Sequence, residues 1–393
     1  MSQLRRKIEQ EIHAHGPIPF SRYMEMCLYD EEHGYYSRNA AQFGKAGDFY
    51  TSSDVHAVFG RLLARQFDEM WRALGSPERI IVKELGPGRG LFAQDVLDWS
   101  EKKFPDFFRS VHYVLVESSP ALRQRIAGTL RPRLQSGKAG LDETYAGWAT
   151  GKGTTSVVPL SHQNDRALAP EGPTILFANE FFDAIPVEII SPQGALRIDA
   201  HDRRFTELWV PPSPEELESL DRYSVHPEEG EKLEVPLRAQ KEMSAACDFE
   251  RGFLIAIDYG YTREEQLAGR HRGTLKAIRQ HSVSENPYEA PGEQDITADV
   301  NFTALAAAAE KQGFHAQKLI TQSQFLMGIG EANQFADAFE DTRLPQERAK
   351  VALQLKHLVT PAGMGESFHV LVASKGVDQE KVRTLAGLRF GSR

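Results

Sequence analysis

Ile80-Ile81-Val82-Lys83-Glu84-Leu85-Gly86-Pro87-Gly88-Arg89-Gly90 is an apolar run that leads into an acidic residue and three alternate glycines. The pattern predicts the first strand and loop of a doubly wound α/β domain that binds a nucleotide-like cofactor. Glycine is required where the chain turns sharply at a strand's carboxyl end and its backbone must approach a ligand, because a Cβ would stand in the way.

The spacing narrows the ligand. A dinucleotide fingerprint asks for G-x-G-x-x-G, whose helix N-terminus faces a pyrophosphate. Here Leu91 occupies the third glycine position and the extra glycine is Gly90. Glu84, two residues before Gly86, would repel a pyrophosphate and attract a cation. S-adenosylmethionine (SAM) carries a sulfonium and an ammonium and no phosphate, so it is favoured over NAD and over an ordinary strand-to-helix turn. His112-Tyr113-Val114-Leu115-Val116 reads as the next buried strand, and Glu117 ends it where a ribose would lie, able to accept both hydroxyl protons. Ser119 is a candidate cap and Pro120 a first helical residue, with Leu122, Ile126 and Leu130 on one face and Pro132 as the stop.

At 393 residues, 41% hydrophobic and 26% charged, the chain can bury a sizeable core. A formal net charge of −9 argues against a nucleic-acid surface and suits a basic peptide partner. Cys27 and Cys247 stand far apart, which leaves no disulfide framework or cysteine cluster and makes both candidate core residues. No H-E-x-x-H pattern is present, and no metal site is expected. No apolar run approaches the ~18 residues of a membrane helix, and Met1–His15 resembles neither a signal nor a transit peptide, so the expectation is a cytoplasmic protein without membrane insertion. A homodimer is compatible with the sequence.

The predicted fold class is α/β: a doubly wound, mostly parallel sheet with a helical N-terminal extension and large insertions. Residues 1–75 read as the extension covering the cofactor site, and 76–393 as the catalytic domain with insertions at about 192–250 and 261–365. The first insertion, with Pro211-Pro212-Ser213-Pro214 and dense charge, reads as exposed. From Asp54 a long helix carries Val58, Phe59, Leu62, Leu63, Phe67 and Met70 on one face. Thr174–Ala178, Gly252–Ile257 and His369–Ala373 are continuous apolar strands.

Ligands of open α/β sheets bind beyond the carboxyl ends of the strands. Asn179-Glu180-Phe181-Phe182-Asp183 and Asp258-Tyr259-Gly260 end strands with polar residues, and the first is the candidate acceptor site. If a helix begins there, Asp183 lies one turn from Glu180. Carboxylates suit a guanidinium, which stays protonated and is gripped by paired hydrogen bonds while one nitrogen is aligned with the methyl.

Further motifs occur in order: Pro19-Phe20-Ser21-Arg22-Tyr23-Met24, His33-Gly34-Tyr35-Tyr36, Gly47-Asp48-Phe49-Tyr50-Thr51-Ser52, Asp258-Tyr259-Gly260-Tyr261, Gly273-Thr274-Leu275 and Pro291-Gly292-Glu293-Gln294-Asp295-Ile296-Thr297-Ala298-Asp299-Val300. With the glycine loop and Asn179–Ala184, they make nearly the whole chain resemble the MidA-like, SAM-dependent methyltransferases, relatives of the mitochondrial complex I assembly factor that methylates an arginine of the 49 kDa subunit. The resemblance implies a class I methyltransferase fold, SAM as cofactor, and as partner a protein presenting an arginine, either a complex I 49 kDa-type subunit or another bacterial protein. It implies that Glu84, Gly86, Gly88, Gly90 and Glu117 line the SAM site, and that the motif containing Asp48 and Thr51 folds over the cofactor. It implies that Asn179, Glu180 and Asp183 face the acceptor and that Gln294–Thr297 borders its cleft. The alternatives are a SAM-binding assembly chaperone with weak or no catalysis, a small-molecule methyltransferase and, further off, a NAD-linked dehydrogenase.

Overall fold

A computed structural model of the chain describes residues 2–38, 57–142, 172–202, 204–279, 282–284 and 286–390. Its central sheet is built from β1 (Ile80–Leu85), β2 (Val111–Val116), β3 (Ala139–Leu141), β4 (Thr174–Asn179), β5 (Gly252–Tyr261) and β6 (Phe368–Lys375), in the spatial order β3-β2-β1-β4-β5-β6. The first five are parallel and β6 runs antiparallel to β5. The strand order reverses between β1 and β4, which creates the crevice where ligands of such sheets bind. Leu85 pairs with Ala178 and Asn179 with Ile257, so the carboxyl ends of β1, β4 and β5 are brought level at that crevice.

Continuous apolar runs become strands buried on both faces. On one face Val82, Tyr113, Phe177, Ile255 and Val370 pack against the helices Ala57–Ala73 and Leu91–Lys103. Phe177 stacks on Phe92 with ring centroids 4.5 Å apart and meets Phe67 edge-on. On the other face Leu85, Leu176, Ala178, Ala256 and Leu371 pack against the helices Leu237–Ala246 and Phe302–Lys311. The helix Leu237–Ala246 corrects the expectation of an exposed first insertion. Its Ala239, Met243 and Ala246 recur at helical spacing and lie on the sheet, while the proline-rich segment only opens the helix Pro214–Tyr223, capped by Ser213.

A further core unites distant segments. Leu4, Ile8, Ile12, Phe20, Tyr23 and Leu28 of the extension pack against Val187, Ile189, Leu196 and Ile198 of an antiparallel sheet, and against Ala277 and Ile296 of a three-stranded sheet. The helix Ala57–Ala73, grouped with the extension by the sequence boundary at residue 75, packs instead on the central sheet. There it also receives the C-terminal segment, whose Ala386 and Gly387 amides donate to Glu69 and Gln66. Among the described residues no helix is long and apolar enough to cross a membrane. Both cysteines are buried core residues, and burial pushes each thiol up to about 12.

The joint between extension and second insertion is tight at Gly292. Its φ is +78°, and a Cβ there would lie 2.3 Å from the His33 carbonyl oxygen and 2.7 Å from a Leu4 methyl. Gly292→Val is expected to loosen this joint without unfolding the central sheet. Hydrogen exchange should show lost protection in Gln3–His15 with β4 and β5 unchanged, and uniform protection in both would contradict the packing described.

Candidate active site

The three glycines of the loop after β1 all adopt left-handed backbone angles, at +63°, +55° and +74° for Gly86, Gly88 and Gly90. Their surroundings differ. A Cβ on Gly86 would press on the Phe181 ring at 2.8 Å, and one on Gly90 would reach Leu130 at 3.3 Å, but one on Gly88 would meet nothing within 4 Å among the described residues. Gly86 and Gly90 therefore close the turn, while Gly88 borders open space that a ligand can fill.

Glu117 follows β2 and faces this loop. Its Oε1 accepts the Ser119 amide at 2.9 Å, and the amides of Gly88 and Ser118 also bear on the carboxylate. Burial pushes its carboxyl up to about 7 against the pull of those amides and of Arg123. Ser119 caps the helix Pro120–Thr129 as its sequence suggests, and Leu122, Ile126 and Leu130 are buried. Glu84 lies on the Val82 face of β1 and is drawn to the sheet by Tyr113, whose phenol donates to its Oε2 at 2.8 Å. Burial raises the Glu84 carboxyl to about 8, opposed by the Tyr113 bond and assisted by the charge of Glu117. Asp48 and Thr51, with the rest of Gly47–Ser52, lie outside the described residues.

At the end of β4 the expected helix is replaced by a turn. Glu180 takes a φ of +49°, an unusual value for a residue with a side chain, and the amides of Phe181, Phe182 and Asp183 donate to Asp258 Oδ2 at 3.1, 3.0 and 3.3 Å. Pro186 explains the failed helix from its far side, since it disfavours the helical conformation at Ile185. Asn179 Nδ2 donates to Glu180 Oε1 at 3.2 Å, so these two side chains are held together.

Asp183 is buried, and its Oδ2 accepts the Tyr259 phenol at 2.5 Å. Its Oδ1 has no hydrogen-bond partner among the described residues. Burial is the main cause that raises the Asp183 carboxyl to about 6, with the Tyr259 bond opposing it. Asp258 is also raised, by burial and then by the charges of Asp183 and Glu180. The sequence marked Asp258 and Tyr259 as a polar strand end but not their roles. An acidic residue that closes a buried run such as Phe253–Ile257 is the signal available.

The crevice thus brings Gly88 and Glu117 to one end, and Glu180 and Asp183 to the other, with Glu84 beneath the loop. Open space at Gly88 beside a carboxylate suits a cationic nucleoside without phosphate. Among the described residues, Glu117 and the loop of Gly86, Gly88 and Gly90 are the groups that could hold SAM.

Comparison with known proteins agrees. Residues 62–320 match the model of a family of S-adenosyl-L-methionine-dependent methyltransferases. The Drosophila melanogaster "Protein arginine methyltransferase NDUFAF7 homolog, mitochondrial" is 30% identical, with 95% of this chain and 85% of that protein covered. The Homo sapiens "Protein arginine methyltransferase NDUFAF7, mitochondrial" is 29% identical, with 93% and 81% covered. A Burkholderia thailandensis protein crystallised bound to S-adenosyl-homocysteine superposes with a TM-score of 0.76 at 26% identity, over 95% of this chain and 92% of that one.

Two outcomes are expected. A cationic ligand favours the ionised form of Glu117, so SAM affinity measured by calorimetry should weaken as pH falls below about 7, approaching tenfold per pH unit, and level off above about 8. Glu117→Gln should flatten that slope; a slope that survives would belong to another group. Gly88→Val would fill the open space, and is expected to weaken SAM binding about tenfold or more while the thermal midpoint moves by only a few degrees.

Proposed function

Because the chain belongs to this family of SAM-dependent methyltransferases, we propose that it transfers methyl to the guanidinium of an arginine presented by a protein. The observation that carries this reading is the acceptor end of the crevice. There Asp183 keeps one oxygen on Tyr259 and the other without a hydrogen-bond partner among the described residues, in the same turn as Glu180 and its strained backbone. The names of the mitochondrial relatives support the same acceptor. A 49 kDa-type subunit of respiratory complex I is the first client we propose, with other arginine-bearing proteins next.

SAM supplies an electrophilic methyl on a sulfonium. The protein's own task is alignment, because a guanidinium cannot be deprotonated beforehand. Asp183 and Glu180 hold its N–H groups and fix one nitrogen in line, while Phe181 keeps water from the reacting atoms. As the nitrogen–carbon bond forms and the sulfur–carbon bond breaks, the attacking nitrogen must lose a proton. Glu180 accepts it, and the product remains a methylated guanidinium cation. Asp258 takes no part in the bonds that change; it keeps the turn in place.

Glu180→Gln is expected to bind S-adenosyl-homocysteine as the wild type does and to lose methyl transfer by about a hundredfold or more. The assay is tritium-labelled SAM with peptides tiling the complex I subunit, followed by mass spectrometry to place the methyl. Unaltered turnover would remove Glu180 from the mechanism, and methyl found away from arginine would overturn the acceptor assignment.

A further inference from the structure

The strand Asp295–Thr297 lies against the turn after β4, where the Ala298 amide donates to the Asp183 carbonyl at 3.0 Å. Side chains alternate across a strand. Ile296 enters the core shared with the extension, which leaves Asp295 and Thr297, both buried, on the opposite face. Asp295 Oδ1 accepts the Tyr36 phenol at 3.1 Å. Tyr36 in turn packs on Tyr29, with ring centroids 5.4 Å apart, and its carbonyl accepts the Ser119 hydroxyl beside Glu117. Tyr29 donates to the carbonyl of Ala184, the residue after Asp183, at 3.0 Å. Burial raises the Tyr29 phenol, and the charges of Asp183, Asp295 and, more weakly, Glu117 raise it further. A single phenol therefore lies within the fields of the cofactor-side carboxylate and of two carboxylates on the acceptor side.

We propose that Asp295, positioned by Tyr36, is a further acceptor-binding carboxylate beside Asp183 and Glu180, and that Asp183 and Asp295 together clamp the substrate guanidinium. The proposal rests on the arginine reading above and adds the source of its specificity. A guanidinium presents five N–H donors in a planar fork and can serve two carboxylates at once in fixed directions, whereas a lysine ammonium is a compact point charge with three rotatable donors. Asp183 Oδ1, which has no hydrogen-bond partner among the described residues, supplies one side of that clamp. The other side comes from the second insertion, held by a tyrosine of the N-terminal extension. Arginine selectivity thus lies in segments outside the sheet.

The test compares wild type, Asp295→Asn and Tyr36→Phe in steady-state assays with tritium-labelled SAM and arginine-bearing peptides, together with calorimetric affinity for S-adenosyl-homocysteine. Asp295→Asn should raise the peptide KM about tenfold or more, and Tyr36→Phe a few-fold, with kcat changed less than KM and S-adenosyl-homocysteine affinity kept within about twofold. An unchanged peptide KM in Asp295→Asn, with arginine methylation intact in the wild type, overturns the clamp and leaves the arginine reading standing. A parallel loss of S-adenosyl-homocysteine affinity in both variants assigns the pair to general structure and also overturns it. Wild-type methylation of lysine peptides in place of arginine peptides overturns both the clamp and the arginine reading.

Discussion

One buried oxygen of Asp258 accepts three consecutive backbone amides, and the acceptor end of the sheet takes its shape from that contact. A left-handed Glu180 costs on the order of 1–3 kcal/mol, and the three hydrogen bonds to the buried Asp258 carboxyl contribute roughly 0.5–1.5 kcal/mol each. The staple is therefore strong enough to hold the strained turn without help from a helix. Its register is fixed from below by the pairing of Asn179 with Ile257 and by the Glu180 amide, which donates to the Ile257 carbonyl. Phe182 then enters the core, Phe181 lies against Gly86, and Asp183 reaches Tyr259. The loop after β1 and the turn after β4 thus meet through one aromatic ring, which couples the donor and acceptor halves of the crevice.

The same crevice concentrates carboxyl groups whose ionisation burial opposes. Glu84, Glu117, Asp183 and Asp258 are all raised, so each favours the folded state most when neutral, and that contribution is lost as pH rises through its folded value: about 6 for Asp183, about 7 for Glu117 and about 8 for Glu84. Such an arrangement weakens the free protein near neutral pH and favours cationic ligands. It also resolves a difficulty of the proposed reaction. A sulfonium and a guanidinium about 4 Å apart repel by roughly 4 kcal/mol at an effective dielectric constant of about 20. Carboxylates on both sides offset that repulsion without blocking the line of attack.

Much of this was legible in the sequence because it is local. The glycine loop, the apolar strands, the Ser119 cap and the stripe Leu122, Ile126 and Leu130 each depend on residues close together along the chain, and each is found where its pattern places it. The turn after Glu180 was misread because helical spacing between two acids says nothing about a carboxylate some seventy-five residues downstream that captures the intervening amides. The helix Leu237–Ala246 was obscured by a charged neighbourhood, although its own apolar residues follow helical spacing. The boundary at residue 75 groups Ala57–Ala73 with the extension by its place in the chain, whereas packing joins it to the sheet. Tyr259 and Tyr36 stand in motifs that the sequence marks, but their partners are not legible there, since a tyrosine's role depends on which acid its hydroxyl meets.

The two ends of the crevice are consequently built by different means. The end at Gly88 consists, among the described residues, of strand ends and the loops that directly follow them. The end at Asp183 gathers Tyr29, Tyr36, Asp183, Asp258, Tyr259 and Asp295 from the extension, the ends of two central strands and the second insertion. Those outer segments reach the sheet through a core of their own, in which Leu4, Ile8 and Phe20 pack with Ile198 and Ile296. Closing such long loops carries an entropic cost that local contacts cannot meet, so the extension and the insertions need that shared apolar core before their polar residues can be aligned. Apolar packing remote from the crevice is therefore what holds Tyr36 and Asp295 beside the turn that carries Asp183.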